Sequence, residues 1–291
     1  MSEQQIKFTL PNGQEVYTGN LVPDSLPVSF KPYPPAKLRS LTDFAEIARS
    51  IKGVRKNIAA EMKASRWLKN QGRRGSCNCY MVRNMWGALT WRMFGKWIDI
   101  SPEHLYVRIN GGRDQGSMLD DGMVEMTDNG CTLWDNQWYE QYQASRIPME
   151  MMRHANEQGK QQRFQECYQA HRDSDEACWQ SLCCCLQDGG AVGVAVHVGN
   201  RYLNSGKGIA GLDHGPGNHA VAGADFVMLT DTPRSWADVA IVSPQSWSED
   251  FANGNVTTLT IDHIRETRKN HGLYCVRSLE LPDYLNRKIE S

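Results

Sequence analysis

The character of this chain changes once along its length, near Gly190. Before that glycine, apolar side chains recur every three or four residues, as they do after Cys77, and this spacing predicts amphipathic helices. After it, short runs rich in valine, isoleucine and threonine are separated by turn residues, which predicts strands. Because helices come first and strands later, without βαβ alternation, the sequence predicts an α+β fold with room for a cleft between two halves.

Turn and cap residues set the expected helix ends. A helix is predicted from Cys77 to Gly95, which would be its C-cap, and another from Ser101, the N-cap, to Gly111. Further helices are predicted around 41–65, at about 118–128, and from 173–176 through "ACWQSLCCCLQ". The segment 145–173 is polar, and its structure is left open.

The first 65 residues have a different organisation from the rest. "IKFTL", the turn signal "PNG" and "QEVYTG" predict a small two-stranded ribbon. Residues 21–37 carry five prolines in seventeen positions, so this stretch is expected to be an extended strap over the main domain. The chain is therefore divided into an N-terminal region, 1–65, and a main domain, 66–291.

Composition excludes several classes of partner and compartment. The net charge of the 291 residues is −1 with acids and bases interspersed, so nucleic acid is not an expected partner. No stretch approaches 18 apolar residues, and the N-terminus lacks a signal-peptide pattern, so neither a membrane span nor secretion is expected. The nine cysteines are odd in number and three are consecutive, which favours reduced thiols in the cytoplasm or another reducing compartment.

One segment has the features of a thiol nucleophile. In "NQGRRGSCN" (70–78), Cys77 stands at the start of a predicted helix, whose free N–H groups and dipole favour a thiolate. Gly75 and Ser76 would let the backbone approach closely, so that the Cys77 amide could face a substrate carbonyl. A cysteine buried only for packing needs no such context.

This segment resembles the active-site segment of papain-like cysteine peptidases, which reads N-Q-G-x-C-G-S-C-W. The resemblance implies that Cys77 is the nucleophile and that the Gln71 side chain and the Cys77 amide form the oxyanion hole. It also implies a two-lobed fold, with a helical N-terminal lobe, a β-barrel-like C-terminal lobe and the active-site cleft between them. The resemblance extends over roughly residues 66–285.

Two later segments match the same family. "GPGNHAVAGADFVML" places His219 at the start of a strand, 142 residues after Cys77, and resembles the family's D-H-A-V. "AIVSPQSWSEDF" resembles the segment in which the family places "KNSWG". Gln245 would orient the imidazole in place of asparagine, and Trp247 would shield that hydrogen bond from water. The catalytic residues implied are therefore Cys77, His219, Gln245 and Gln71.

The substrate cleft is implied by a further match. "QGSMLDDGMVEMTDNGC" resembles the segment whose glycines line the family's cleft, with Gly116 as the counterpart. The substrate-binding residues implied by the resemblance are Gly116, Ser117, Met118, Ala220 and Trp247.

The sequence also departs from the family pattern. Arg74 replaces a cysteine, and the family's partner cysteine is missing as well, since the chain reads Asp114-Gln115-Gly116 there. Losing both ends of one disulfide fits a reducing compartment. Asn78 replaces the tryptophan after the nucleophile, and Ser248 replaces a glycine.

The predicted function is that of a cysteine-type endopeptidase acting on polypeptides through a thiolate–imidazolium pair and an acyl-enzyme, with no metal or organic cofactor. Two alternatives remain open. The first is an acyltransferase or amidase on the same scaffold. The second is a papain-fold protein without peptidase activity that serves as an assembly component, for example of a viral particle, with contacts through its N-terminal segment.

The cysteines at 178 and 183–185 are interpreted as core residues, because consecutive ligands cannot converge on one ion.

Overall fold

The computed structural model describes residues 6–22, 30–111, 113–143, 149–206 and 208–282. Within these ranges the chain forms the following α-helices: α1 Leu41–Ser50, α2 Ile58–Ala64, α3 Cys77–Phe94, α4 Pro102–Asn110, α5 Leu119–Asp128, α6 Asn136–Gln143, α7 Met149–Gly159, α8 Asp175–Gln187 and α9 Asn200–Leu203. It forms the following strands: β1 Ile6–Thr9, β2 Glu15–Thr18, β3 Arg163–Phe164, β4 Cys167–Gln169, β5 Ala191–Val196, β6 His219–Gly223, β7 Asp225–Met228, β8 Val239–Pro244, β9 Val256–Leu259, β10 Tyr274–Val276 and β11 Leu279–Glu280.

Helix α3 lies at the centre of the molecule. Strands β5 and β6 pack on one side of it and α4 and α5 on another, so every residue from Cys77 to Thr90 is buried. The helix ends at Gly95, whose left-handed φ of 66° allows the C-cap that the sequence predicts. It is not the simple amphipathic helix expected, because its polar side chains are buried too. Arg83, for example, is fully buried, forms an ion pair with Asp99 (2.6 Å) and lies over the ring of Trp67.

The strands form open antiparallel sheets rather than a closed barrel. Strands β4-β10-β5-β6 form one sheet and β7-β8-β9 another, and the short pairs β1-β2 and β3-β11 lie apart from them. The outer edge of β4 is covered by irregular chain at residues 32–33, and that of β9 by residues 208–210. In the ranges described, the predicted β-barrel-like lobe is therefore replaced by two open sheets whose edges are covered by loops. The α+β class itself is confirmed.

Several element boundaries follow their local signals, and others do not. Ser101 caps α4 by accepting a hydrogen bond from the His104 amide (3.3 Å), and Gly111 takes the left-handed conformation after that helix. The predicted helix over 41–65 is two helices, α1 and α2, separated by a turn. The polar segment 145–173 contains α7, β3 and β4.

The N-terminal region forms the predicted ribbon, since Ile6 pairs with Thr18 and Thr9 with Glu15. Residues 23–29 of the proline-rich strap lie outside the described ranges. Of the rest, Tyr33 is buried and donates its amide to the Gln169 carbonyl (2.7 Å), so this part packs against strand β4. None of the helices described is both long and apolar enough to cross a membrane.

Candidate active site

Cys77 is the first residue of α3, and its thiol is completely buried. The N-cap residue Ser76 makes no side-chain capping bond, and the backbones of Cys77 and Asn78 in the first turn form hydrogen bonds with the sulfur instead. Burial raises the pKa of the Cys77 thiol, and hydrogen bonding from the backbones of Ala220 and Gly19 opposes that rise. The sulfur therefore lies between the start of α3, strand β6 and the N-terminal region.

His219 is the first residue of β6, where it pairs with Val196 of β5. Its side chain is fully buried, and its ring stacks on Trp247 with 4.5 Å between ring centroids. Burial lowers the pKa of His219 to about 3, so the imidazole is neutral in this state. Both ring nitrogens lack a hydrogen-bond partner among the described residues. His219 thus directly precedes Ala220 in strand β6, and the backbone of Ala220 contacts the Cys77 thiol.

Gln245 follows β8 and lies next to His219. Its Nε2 donates to Thr257 Oγ1 (2.9 Å) and Ser243 Oγ (3.0 Å), so its amide oxygen points away from these two hydroxyl groups. That oxygen has no partner of normal hydrogen-bond geometry in the described ranges, so its contact with the imidazole is looser than the predicted hydrogen bond. The contact still raises the pKa of His219, by less than burial lowers it.

Gln71 is held in place by Ser246, a residue that the sequence reasoning did not single out. The Gln71 amide donates to the Ser246 carbonyl (2.8 Å), and the Ser246 hydroxyl donates to Gln71 Oε1 (2.5 Å). Gln71 Nε2 then donates to the Arg74 carbonyl (2.9 Å) and to the Tyr17 carbonyl (3.0 Å). The only sequence signal for Ser246 is its position between Gln245 and Trp247.

The groove beside Cys77 is walled by the residues before α5. Gly116 has φ of 74° and donates its amide to the Tyr106 hydroxyl (2.9 Å). Asn78 Nδ2 donates to Ser117 Oγ (3.0 Å) and also to the Met118 carbonyl, so it fixes this wall against α3. The side chain of Met118 is exposed. Asn78 thus has a structural role at the position where the resemblance has tryptophan.

Ala220 and Trp247 differ in how they meet this groove. The Ala220 backbone faces the sulfur of Cys77. Trp247 is 1% exposed and its ring stacks on the imidazole of His219. The shielding of a hydrogen bond between His219 and Gln245 by Trp247 stays a prediction. A direct substrate contact by Trp247 stays a prediction.

Residues 17–21 of the chain itself fill the groove. The Gly19 carbonyl accepts from the Ser117 amide (2.8 Å), and the Leu21 amide donates to the Ser117 carbonyl (3.0 Å). The Asn20 amide donates to the Asn218 carbonyl (3.2 Å), next to His219. The segment runs parallel to residues 116–117 and covers Cys77. Residues 17–20 belong to the predicted ribbon and only Leu21 to the predicted strap, so the sequence does not indicate that this segment covers Cys77.

The burial of both side chains explains why their charges differ from those of the predicted pair. A thiolate–imidazolium pair needs water or close mutual contact to offset the cost of burying two charges. Here burial raises the pKa of Cys77 and lowers that of His219, so both groups are neutral in the covered state.

An ion pair occupies the place where the resemblance has a disulfide. Arg74 Nη1 lies 3.8 Å from Asp114 Oδ2, and Asp114 Oδ1 accepts from the Gly75 amide (3.0 Å) and the Tyr106 hydroxyl (2.9 Å). The loop before the nucleophile is thereby tied to the groove wall without a disulfide.

All nine cysteines are free thiols, and Cys167 is the one that is partly exposed. Among the described residues, no three His, Cys, Asp or Glu side chains converge as a metal site would require.

The sequence matches no family model and no curated protein. Solved structures do match. The procathepsin L 3 of the Tenebrio molitor larval midgut is 15% identical, with a TM-score of 0.53, over 72% of this chain and 66% of that one. Two structures of the ragweed pollen cysteine protease Amb a 11 in its proform are 12% and 13% identical, with TM-scores of 0.51 and 0.53, over 74% of this chain.

The chain spans 61% to 66% of the length of these proteins, somewhat less than two thirds. At this level of identity the similarity shows the fold. Helix α3 with Cys77 at its tip and strand β6 with His219 at its start thus lie in a fold that is shared with these proteases. This chain has the fold of the papain-like cysteine proteases.

Proposed function

We propose that this chain hydrolyses peptide bonds with Cys77 as the nucleophile. One observation carries the proposal: Gln71 Nε2 donates a hydrogen bond of 3.0 Å to a peptide carbonyl, that of Tyr17, in the groove that passes over Cys77. An oxyanion donor has to make this contact with a substrate. The proteins with similar structures are cysteine proteases, which supports the same reaction class.

The proposed reaction begins when the groove is free of residues 17–21. Water then reaches Cys77 and His219, burial no longer suppresses their charges, and the thiol proton moves to the imidazole. The thiolate attacks the peptide carbonyl carbon, and Gln71 Nε2 with the Cys77 amide stabilises the oxyanion. His219 returns its proton to the leaving amine, and water then hydrolyses the thioester and restores the thiol.

The proposal extends to the setting of the enzyme. The groove lies between the helices α3–α5 and the sheets, which we take as the two lobes that the resemblance implies. Nine free thiols support a cytoplasm-like reducing compartment. A polypeptide is the proposed partner, since the groove already holds one in an extended conformation.

A second function is a papain-fold assembly component without peptidase activity. It is favoured by one observation, namely that Cys77 is fully buried beneath the chain's own segment while both ring nitrogens of His219 lack hydrogen bonds within the described ranges. An amidase or acyltransferase would use the same thiol, and only its acceptor would differ.

An epoxide probe for thiol proteases separates these functions. Prolonged incubation lets the segment over Cys77 open transiently, so the wild-type chain should be labelled at Cys77. Cys77→Ala and His219→Ala should both lose the label, because the probe needs a thiolate that the imidazole generates. Cys167→Ser, which removes the partly exposed thiol, and His214→Gln, which changes an exposed histidine, should keep it.

The outcomes are distinct. Labelling that persists in His219→Ala would contradict an imidazole-activated thiol, and no labelling even after long incubation would favour the assembly component. Peptide cleavage compared with transfer to an added amine then distinguishes a peptidase from a transferase.

A further inference from the structure

We propose that the groove over Cys77 selects a peptide with glycine at its narrowest point, and that Tyr17–Leu21 is the peptide it holds in the free chain. This inference deepens the proposed function and rests on it only in naming Cys77 as the reactive thiol. The groove geometry itself stands apart from any activity. The proposed ligand class is an extended peptide segment that contains glycine followed by a small uncharged residue.

The narrowest point lies where three glycine backbones meet. A Cβ placed on Gly19 would lie 2.3 Å from the Gly75 carbonyl oxygen and 2.4 Å from Gly75 Cα. On the opposite wall, a Cβ on Gly116 would lie 2.4 Å from the Gly19 carbonyl oxygen. These are contacts with backbone, which cannot move aside as a flexible side chain can. Any residue larger than glycine at position 19 must therefore leave the groove or widen it.

The hydrogen bonds that hold residues 17–21 involve the segment's main chain and do not discriminate between side chains. Ser117 contributes its amide and its carbonyl, Asn218 its carbonyl and Gln71 its side-chain amide. Such contacts resemble the addition of a strand and are open to any extended peptide. Selectivity must then come from the space available, which is smallest at Gly19.

The position after the glycine adds a second preference. Asn20 is 5% exposed, and its Nδ2 lies 3.5 Å from His271 Nδ1. Because this side chain is enclosed and its Oδ1 has no hydrogen-bond partner among the described residues, the site accepts a small uncharged residue, whereas a large one would not fit and a charged one would be buried without compensation. The Gly-Asn pair in this segment therefore has the composition that the groove accepts.

Accessibility of Cys77 tests the inference directly. Gly19→Ala should expel the segment and raise the rate at which iodoacetamide alkylates Cys77 by roughly tenfold or more, as read by peptide mass spectrometry. Gly206→Ala is the matched control, because a Cβ at Gly206 meets nothing within 4 Å, and its rate should equal that of the wild type. Leu21→Pro, which removes the hydrogen bond to Ser117 and places a ring carbon against the Ser117 carbonyl oxygen, should also raise the rate.

Peptides added in trans then test selectivity. An acetylated Tyr-Thr-Gly-Asn-Leu amide should slow the alkylation of Cys77 in the Gly19→Ala chain, and the same peptide with alanine for glycine should not. Equal protection by both peptides would overturn the glycine selectivity. Wild-type alkylation rates in both Gly19→Ala and Leu21→Pro, with circular dichroism showing intact folds, would overturn the covering role of the segment.

These measurements separate the inference from the proposed function. Alkylation at a fixed alkaline pH needs only an accessible thiol and neither His219 nor turnover. A faster reaction in Gly19→Ala together with failed epoxide labelling would uphold the glycine-selective groove and refute the peptidase.

Discussion

At the scale of single residues, the site consists of groups whose positions are fixed by contacts with neighbouring residues. Gln71 is fixed by two contacts to Ser246, and Gln245 is turned by donating to Ser243 and Thr257. His219 is fixed by the stacked ring of Trp247. Positioning of this kind lets a donor act on a transition state without reorganising.

Gln71→Ala provides the residue-scale prediction. Removing an oxyanion donor typically lowers kcat by about 10² to 10³, and because the donor acts mainly on the developing charge, KM should change little. Steady-state cleavage of a peptide substrate measures both constants. Gln165→Ala is a suitable control, since that side-chain amide contacts Glu280 and not the groove. A Gln71→Ala enzyme with unchanged kcat would contradict the assigned role.

At the scale of elements, α3 and α4 are joined by a buried polar contact. The Tyr80 hydroxyl lies 2.6 Å from Glu103 Oε1, and Ser101 Oγ lies 3.1 Å from Glu103 Oε2. Burial raises the pKa of Glu103 from 4.5 to about 7, although these hydrogen bonds and the charge of Arg83 oppose the rise. The folded chain therefore keeps a proton on Glu103 that the unfolded chain loses at lower pH.

Stability should fall as pH rises from about 4.5 to about 7 because of this group, since the folded state binds more protons in that window. Glu103→Gln mimics the protonated side chain, so its stability relative to wild type should increase by the order of 2 kcal/mol between pH 5 and pH 8. Urea unfolding at both pH values measures the difference.

Other groups that titrate in this window, such as Asp120, are present in both chains, so their effect cancels in the comparison. Glu157→Gln, at an exposed position, controls for loss of one charge. A difference between Glu103→Gln and wild type that is independent of pH would contradict a protonated Glu103.

Much of the element pattern could be predicted from sequence because its signals are local. Gly95 ends α3 and Ser101 begins α4, since each acts on backbone groups within one turn. Cys77 at a helix start and His219 at a strand start follow from the same kind of signal. The polar stretch that contains α7 gave no such signal.

Features that depend on distant segments could not be predicted. The cover over Cys77 requires Gly19 to meet Ser117 and Asn20 to meet Asn218, across about 100 and 200 residues of chain. The open sheets likewise depend on loops far along the chain that cover the edges of β4 and β9. An extended local pattern shows that a segment is strand-like but not what it pairs with.

At the scale of the whole molecule, the fold is held together without covalent cross-links. Its nine thiols are free, and eight of them are buried. The loop before the nucleophile is tied to the groove wall by Arg74 and Asp114, where the resemblance has a disulfide. Stability therefore comes from packing around α3 and from buried polar contacts.

A reducing agent should leave the stability of this chain unchanged. Dithiothreitol has no bond to break among the nine free thiols, so the Tm should be the same with and without it. Scanning calorimetry of freshly purified protein measures this, with a disulfide-bonded protein of similar size as the positive control. A Tm that drops on reduction would show a cross-link that the structure lacks.

The contact between Ser246 and Gln71 has a consequence for how this protein can change over evolutionary time. This hydrogen bond connects two loops that are 175 residues apart in sequence. Replacing Gln71 or Ser246 alone would displace both Gln71 Nε2, the proposed oxyanion donor, and the loop of Gln245 and Trp247 beside the His219 imidazole. We expect natural variation at these two positions to be correlated, so that a chain with a different residue at one also carries a compensating residue at the other.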